Sequence, residues 1–128
     1  VFMSVSIEFL TLISLVIILA ILTLSFNFYY YQSYLKQKIF IELKNTAETI
    51  ASEINLAVKV GDGYSHTFYL KKPKYVGDLS LQIDNYLVKL KTEDLEVLES
   101  ILTKNITGNF KFDSFNQIKN LGGKIYVD

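Results

Sequence analysis

The sequence predicts an α+β protein: a long N-terminal hydrophobic and amphipathic helix, with a small antiparallel β-rich C-terminal head packed on its upper half. Three observations predict this. Residues 9–35 contain no charged side chain. No Gly or Pro occurs before Gly61, so nothing obliges a helix to stop within the first sixty residues. From Tyr64 onward the apolar period falls from three or four to two, as strands require.

The chain is expected to divide into a hydrophobic helix over residues 1–34, an amphipathic continuation over 35–61 and a β-rich head over 62–128. At a rise of about 1.5 Å per residue, a helix over residues 4–60 is a rod of roughly 85 Å. Its first part is apolar nearly all round, with Phe9, Leu10, Leu12, Ile13, Val16, Ile17, Leu19, Ile21 and Leu24 in its surface. About 20 such residues span the hydrocarbon of a bilayer, so this part calls for lipid or other helices. Thr11, Ser14, Thr23 and Ser25 interrupt it, and their hydroxyls can bond back to the helix's own carbonyls. Phe26, Phe28, Tyr29, Tyr30, Tyr31 and Tyr34 close the run as an aromatic belt of the kind found at membrane interfaces, or as packing surface. No basic residue precedes the run, the first being Lys36. A signal anchor normally carries positive charge there, so an earlier basic leader, removed by processing or trimming, is expected.

Beyond the run the pattern becomes one-faced. Leu35, Ile39, Leu43, Ala47, Ile50, Ile54 and Val58 recur at spacings of three and four, the stripe of an amphipathic helix. The opposite face is assigned Lys38, Glu42, Lys44, Glu48, Ser52, Glu53 and Lys59, with two i,i+4 ion pairs worth a few tenths of a kcal/mol each. Gly61-Asp62-Gly63 supplies the left-handed residue and turn that end the helix.

Strands are expected over residues 67–70, 79–83, 86–90, 110–115 and 124–127. Asp84-Asn85 would close a hairpin in which Leu79, Leu81 and Ile83 face Tyr86, Val88 and Leu90. Asn120-Leu121-Gly122-Gly123 would turn the last strand back on its predecessor. Residues 94–102 suit a helical turn or two, and the structure of 92–104 is left open. A head of about 65 residues is marginal alone and needs a second apolar surface, which the stripe over residues 35–58 supplies.

Composition excludes several functions. Lysines and acids balance at 13 each, so no global field attracts nucleic acid. Every basic residue is Lys, which removes the bidentate guanidinium that base and phosphate recognition favours. There is no Cys and one His, His66, so the usual zinc sites and thiolate catalysis are absent, and no metal or cofactor is expected. Ser65 and His66 superficially resemble part of a hydrolase triad, but neighbours on a strand point to opposite faces. No catalytic residue is assigned and the chain is not expected to be an enzyme. Asp62 and Asp78 sit beside glycines without calcium-loop spacing, so they are assigned to turns. Asn105-Ile106-Thr107 is the single N-glycosylation sequon and makes Asn105 a candidate acceptor.

Glu8 stands immediately before the charge-free run. One account places it in the first helical turn, where the helix dipole favours negative charge by about 0.3–1 kcal/mol. The other buries it when many helices pack, and then a partner is required, such as the amino terminus of a neighbouring subunit.

Ser6-Ile7-Glu8-Phe9-Leu10 and the apolar run behind it resemble the start of archaeal type IV pilins, whose class III signal peptides carry a Gln-x-Ser-x-Glu-Phe pattern around the cleavage site. Ser4 falls where that pattern has Gln, so the resemblance makes Ser4 the expected processed start and Glu8 its fifth residue. Gly61-Asp62-Gly63-Tyr64, Asn105-Ile106-Thr107-Gly108 and Gly123-Lys124-Ile125-Tyr126-Val127 are similar to features of small archaeal pilins. The resemblance implies a lollipop-shaped subunit held in the membrane before assembly, then a filament of identical subunits with these helices at its centre. It implies a prepilin peptidase, an assembly ATPase and a membrane platform protein as partners, and adhesion at the cell surface as the role. Two alternatives stand beside this major-pilin reading: a minor pilin that primes or caps the filament, and a single-pass membrane-anchored extracellular binding domain.

Overall fold

The computed structural model describes residues 2–128, with side chains from residue 6 onward. It is an α+β chain. One helix, α1 (Phe2–Val60), precedes seven strands: β1 (Ser65–Leu70), β2 (Ser80–Asp84), β3 (Leu87–Lys91), β4 (Glu96–Ser100), β5 (Ile106–Thr107), β6 (Ser114–Leu121) and β7 (Lys124–Val127). The chain forms two units, residues 1–37 and 38–128. The second holds the last part of α1 together with all the strands.

The strands form two separate sheets, β1-β6-β7-β5 and β2-β3-β4. All pairings are antiparallel except the two-residue match of β5 with β7. Both sheets pack on α1. Ile50, Ala51, Ile54 and Ala57 are buried with Phe68 and Leu70 of β1, Ile118 of β6, Ile125 and Val127 of β7 and Val88 of β3, with Leu81 and Ile83 of β2 packed against them. Leu43 and Ala47, one to two turns earlier, are buried with Leu90 of β3 and Val97 of β4. The predicted stripe is therefore real from Leu43 to Ile54, widened by Ala51 and Ala57, while Leu35, Ile39 and Val58 are half-buried at its margins.

Three side chains outside the stripe fasten it. Asn55 accepts the Leu102 amide at 2.8 Å and donates to the Ser100 carbonyl at 3.4 Å, fixing the end of β4. Buried Asn120 donates to the Ala57 carbonyl at 2.9 Å and accepts the Gly123 amide at 3.0 Å, tying the last turn of α1 to the β6–β7 turn. Glu53 meets His66 of β1 at 2.9 Å. Glu42 and Glu53 are accordingly half-buried, not on the outer face to which their spacing assigns them. The helix stops as predicted: Gly61 and Gly63 both have positive φ, and Asp62 accepts the Gly122 amide at 2.8 Å.

Three local expectations are corrected. The β2–β3 turn is Asn85-Tyr86, both at positive φ as a type I′ hairpin requires, so Asp84 pairs with Leu87. The register thereby puts Ile83 opposite Val88 and Leu81 opposite Leu90 on the core face. Residues 96–100 form β4, not a helical turn, because Val97 pairs with Leu90 over the α1 stripe. The strand expected at 110–115 starts only at Ser114. Asn116 accepts the Lys111 amide at 2.7 Å and donates to the Lys111 carbonyl at 2.8 Å, folding 111–113 into a turn with Asp113 at φ 53°. Phe110 still reaches the core from that loop, 5.9 Å from the Phe68 ring.

Ile54→Ala is expected to cost about 2–5 kcal/mol of unfolding free energy, as deletions at fully buried aliphatic sites do. Leu56→Ala, on the exposed side of the same turn, should stay within about 0.5 kcal/mol, and denaturant titration of the full chain in detergent separates the two. Gly108→Ala should unfold the β5–β7 edge, because a Cβ there collides with the Val127 carbonyl oxygen and Gly108 has φ 99°. Loss of amide-exchange protection at Ile125, which donates to the Asn105 carbonyl, reads that change.

Candidate functional site

The first unit is helical throughout its described residues. From Ile7 to Tyr34 every large apolar side chain is exposed, from 38% at Ile13 to 69% at Tyr29, on all sides of α1. All nine positions assigned to the helix core surface, from Phe9 to Leu24, lie in this exposed set. The segment is long and apolar enough to cross a membrane, and none of its most apolar window is buried. A chain with this much bare apolar surface would aggregate in water, since monomers rarely expose contiguous patches beyond a few hundred Å².

The four hydroxyls in the run behave as expected. Thr11, Ser14, Thr23 and Ser25 each donate to the carbonyl four residues earlier at 2.8 Å. These four hydroxyls are satisfied within the helix, so the surface over residues 9–26 can enter an apolar medium without leaving them unpaired. Tyr29 and Tyr30 meet edge to face at 6.0 Å, and Leu22, Ser25, Phe26 and Tyr29 line a shallow, almost wholly apolar groove.

Glu8 is exposed and helical. The first turn of α1 contains no acidic residue, so the account that places Glu8 in that turn is corrected: it lies beyond it. Among the described residues Glu8 forms no ion pair or hydrogen bond. The candidate processing residue Ser4 lies outside the residues whose side chains are described. Asn105 is exposed just before β5, and Thr107 is exposed on β5 two residues on, so both sequon side chains reach solvent.

The apparent triad fragment is divided between different partners. Ser65 accepts a hydrogen bond from Gln117 at 3.1 Å, while His66 faces Glu53. Among the described residues, no group of three or more His, Cys, Asp or Glu side chains is placed to hold a metal ion. Half-buried Tyr64 is held above its usual value near 10 by burial first and by the Glu53 carboxylate second.

A second arrangement has no signature in the residue spacing. Lys38 lies with its Nζ 5.9 Å from the Tyr75 ring centre, and the two residues line one groove with Lys74, Ile41 and Glu42. Its sequence signal is the run Lys71-Lys72-Pro73-Lys74-Tyr75, which a whole-chain charge balance conceals.

No family model, no characterised protein and no solved structure matches this chain. The functional reading therefore rests on its own residues.

Because the folded state favours the neutral Tyr64 hydroxyl, the unfolded chain loses that proton first as pH rises. Stability should decline from about pH 10 through the raised value. Tyr64→Phe should remove that component, so the two proteins' unfolding midpoints diverge only above about pH 10 in a pH series of thermal melts.

Proposed function

We propose that the chain is the repeating structural subunit, the major pilin, of an extracellular filament of the archaeal type IV pilus kind, without enzymatic activity and serving adhesion. One observation carries the reading. On a single helix, the apolar stripe of the head is covered by the chain's own sheets, while the charge-free segment before it is bare on every side. The bare segment suits two successive surroundings. Lipid holds it before assembly, and copies of the same segment replace lipid afterwards at modest cost, because both media are apolar and packing contacts decide the balance. A contact that repeats without closing gives a filament.

On this reading Glu8 is the group whose environment changes most. It is exposed in the isolated chain and enters a crowded apolar bundle on assembly, where it pairs with an amino terminus of a neighbouring copy. A prepilin peptidase acting at Ser4, an assembly ATPase and a membrane platform protein are the implied partners. Asn105, exposed on the head, is the acceptor for an N-linked sugar. A minor pilin would share these features at low copy number. A membrane-anchored binding domain would share the bare helix without polymerising.

The test is replacement of Glu8 in cells. Glu8→Gln should lower filament yield by on the order of tenfold or more, since removing one member of a buried charge pair costs roughly 3–5 kcal/mol. Membrane insertion of the variant should stay at the wild-type level by fractionation. Wild-type filament numbers in the variant would remove the pairing role, and a cell surface with no filament containing this chain would favour the anchored domain.

A further inference from the structure

The chain is neutral overall, yet its charge is not evenly spread. Residues 36–44 and 71–78 hold six lysines and two acids, so they carry four net positive charges and the remainder four negative. The fold brings these two segments together. Lys38, at the start of the second unit, lies against Tyr75, and with Lys74, Ile41 and Glu42 they line a groove of about 320 Å³. Glu42 also lines a neighbouring groove of about 200 Å³ with Lys71, Lys72 and Tyr69.

The loop that supplies these cations is held, not loose. Pro73 is buried, and the Lys72 amide donates to Asp113 at 3.0 Å. Tyr75 takes φ 64°, a left-handed conformation uncommon for an aromatic residue. Its ring nevertheless stays 64% exposed beside Lys38. Lys71, Lys72 and Lys74 are all exposed, and none forms an ion pair among the described residues. The head thus presents cations with a tyrosine ring among them.

Position decides what they meet. Lys38 is three residues beyond Leu35, where the charge-free run ends. Even a fully extended chain covers at most about 11 Å over three residues, so one edge of the groove stays that close to the end of the span however the two units are oriented. As a helix the run over residues 9–35 is about 40 Å long, enough for the roughly 30 Å hydrocarbon core and the polar layer beyond it, so the groove lies at the membrane surface, where juxtamembrane lysines attract anionic lipid.

We propose that the groove of Lys38, Lys74 and Tyr75, extended by Lys71 and Lys72, binds the headgroup of an anionic phospholipid. This rests on the reading of residues 9–35 as a membrane span before assembly. The lysines take the phosphodiester. Glu42 disfavours a bare anion and accepts a hydrogen bond from a headgroup hydroxyl, so the fitting ligand is a phosphatidylglycerol-like lipid. Held there, the lipid fixes the head against the membrane surface, and it is released when the helix leaves the bilayer.

The test is native mass spectrometry of the full chain in detergent, titrated with phosphatidylglycerol or with phosphatidylcholine of the same acyl chains. The wild type should retain phosphatidylglycerol preferentially, and the preference should fall about fivefold for each lysine removed in Lys38→Gln and Lys74→Gln. Lys38→Arg with Lys74→Arg should keep it, as should Lys119→Gln with Lys124→Gln at the far strands. Circular dichroism melts establish that the variants fold; should the double Gln variant fail to, Lys74→Gln alone decides, its side chain being exposed. Equal retention of both lipids by the wild type, or a preference unchanged in the Gln variants, overturns the proposal. So does displacement of the lipid by millimolar inorganic phosphate, which would make the groove a general phosphate site. Reduced self-association of the Gln variants with lipid preference intact would assign the lysines to a second copy of the chain, and also overturns it. Flotation of the wild-type chain with neutral vesicles reads the membrane span separately. Failure to float removes the span itself, whereas flotation without lipid preference removes only the groove.

Discussion

Everything in the head depends on one strip of α1, from Leu43 to Ala57. The two sheets share no hydrogen-bonded strand, and each is too small to bury a face by itself. A three-stranded sheet rests on Leu43 and Ala47, and a four-stranded sheet on Ile50, Ala51, Ile54 and Ala57. Each large aliphatic side chain buried in this way contributes roughly 1.5–3 kcal/mol. The sheets also meet each other beside the helix, through Val88, Leu81 and Ile83 on one and Phe68, Ile118 and Ile125 on the other. The polar ties from Asn55, Asn120 and Glu53 then set where along the helix each sheet sits.

The same helix leads two lives because its apolar surface is used differently along its length. In the head the stripe is narrow and finds its complement within the chain. From Ile7 to Tyr34 the apolar surface goes all round and its large side chains are exposed. Back-bonding satisfies the hydroxyls of Thr11, Ser14, Thr23 and Ser25 in the lower part of that run, where an apolar surrounding would otherwise penalise them. The proposed filament and the proposed lipid groove both arise from the place where these two regimes meet. Lys36 and Lys38 are the first charges after the run, and the fold adds Lys74 and Tyr75 to Lys38 from a loop more than thirty residues away in sequence.

Where local pattern and structure disagree, the cause is a side chain acting over a distance. Residues 96–100 have Leu and Val at spacings that suit either a helical turn or a strand; pairing with β3 over Leu43 and Ala47 decides for the strand. Phe110 and Phe112 look like the alternate positions of a strand, yet the Asn116 amide bends the chain between them and β6. Asp-Asn is a common turn pair and points to a hairpin turn one residue too early, whereas here Asn85 and Tyr86 take the two left-handed positions. That step moves the partners of Ile83 and Leu81 along β3 to Val88 and Leu90 and leaves the face they share unchanged. Glu53 and His66 are thirteen residues apart with no periodic relation, so their contact had no local signal.

The sequence by itself determined the long helix, its end at Gly61, the division of its surface into a bare run and a stripe, and the β character of the residues beyond Gly63. These rest on local causes: absence of Gly and Pro, apolar period, and glycines that tolerate positive φ. Tertiary structure alone decided that there are two sheets, that both pack on α1, and that Lys38 and Lys74 of a neutral chain share one groove with Tyr75. Those outcomes depend on which distant side chains share a buried volume or a surface, and no local pattern encodes that.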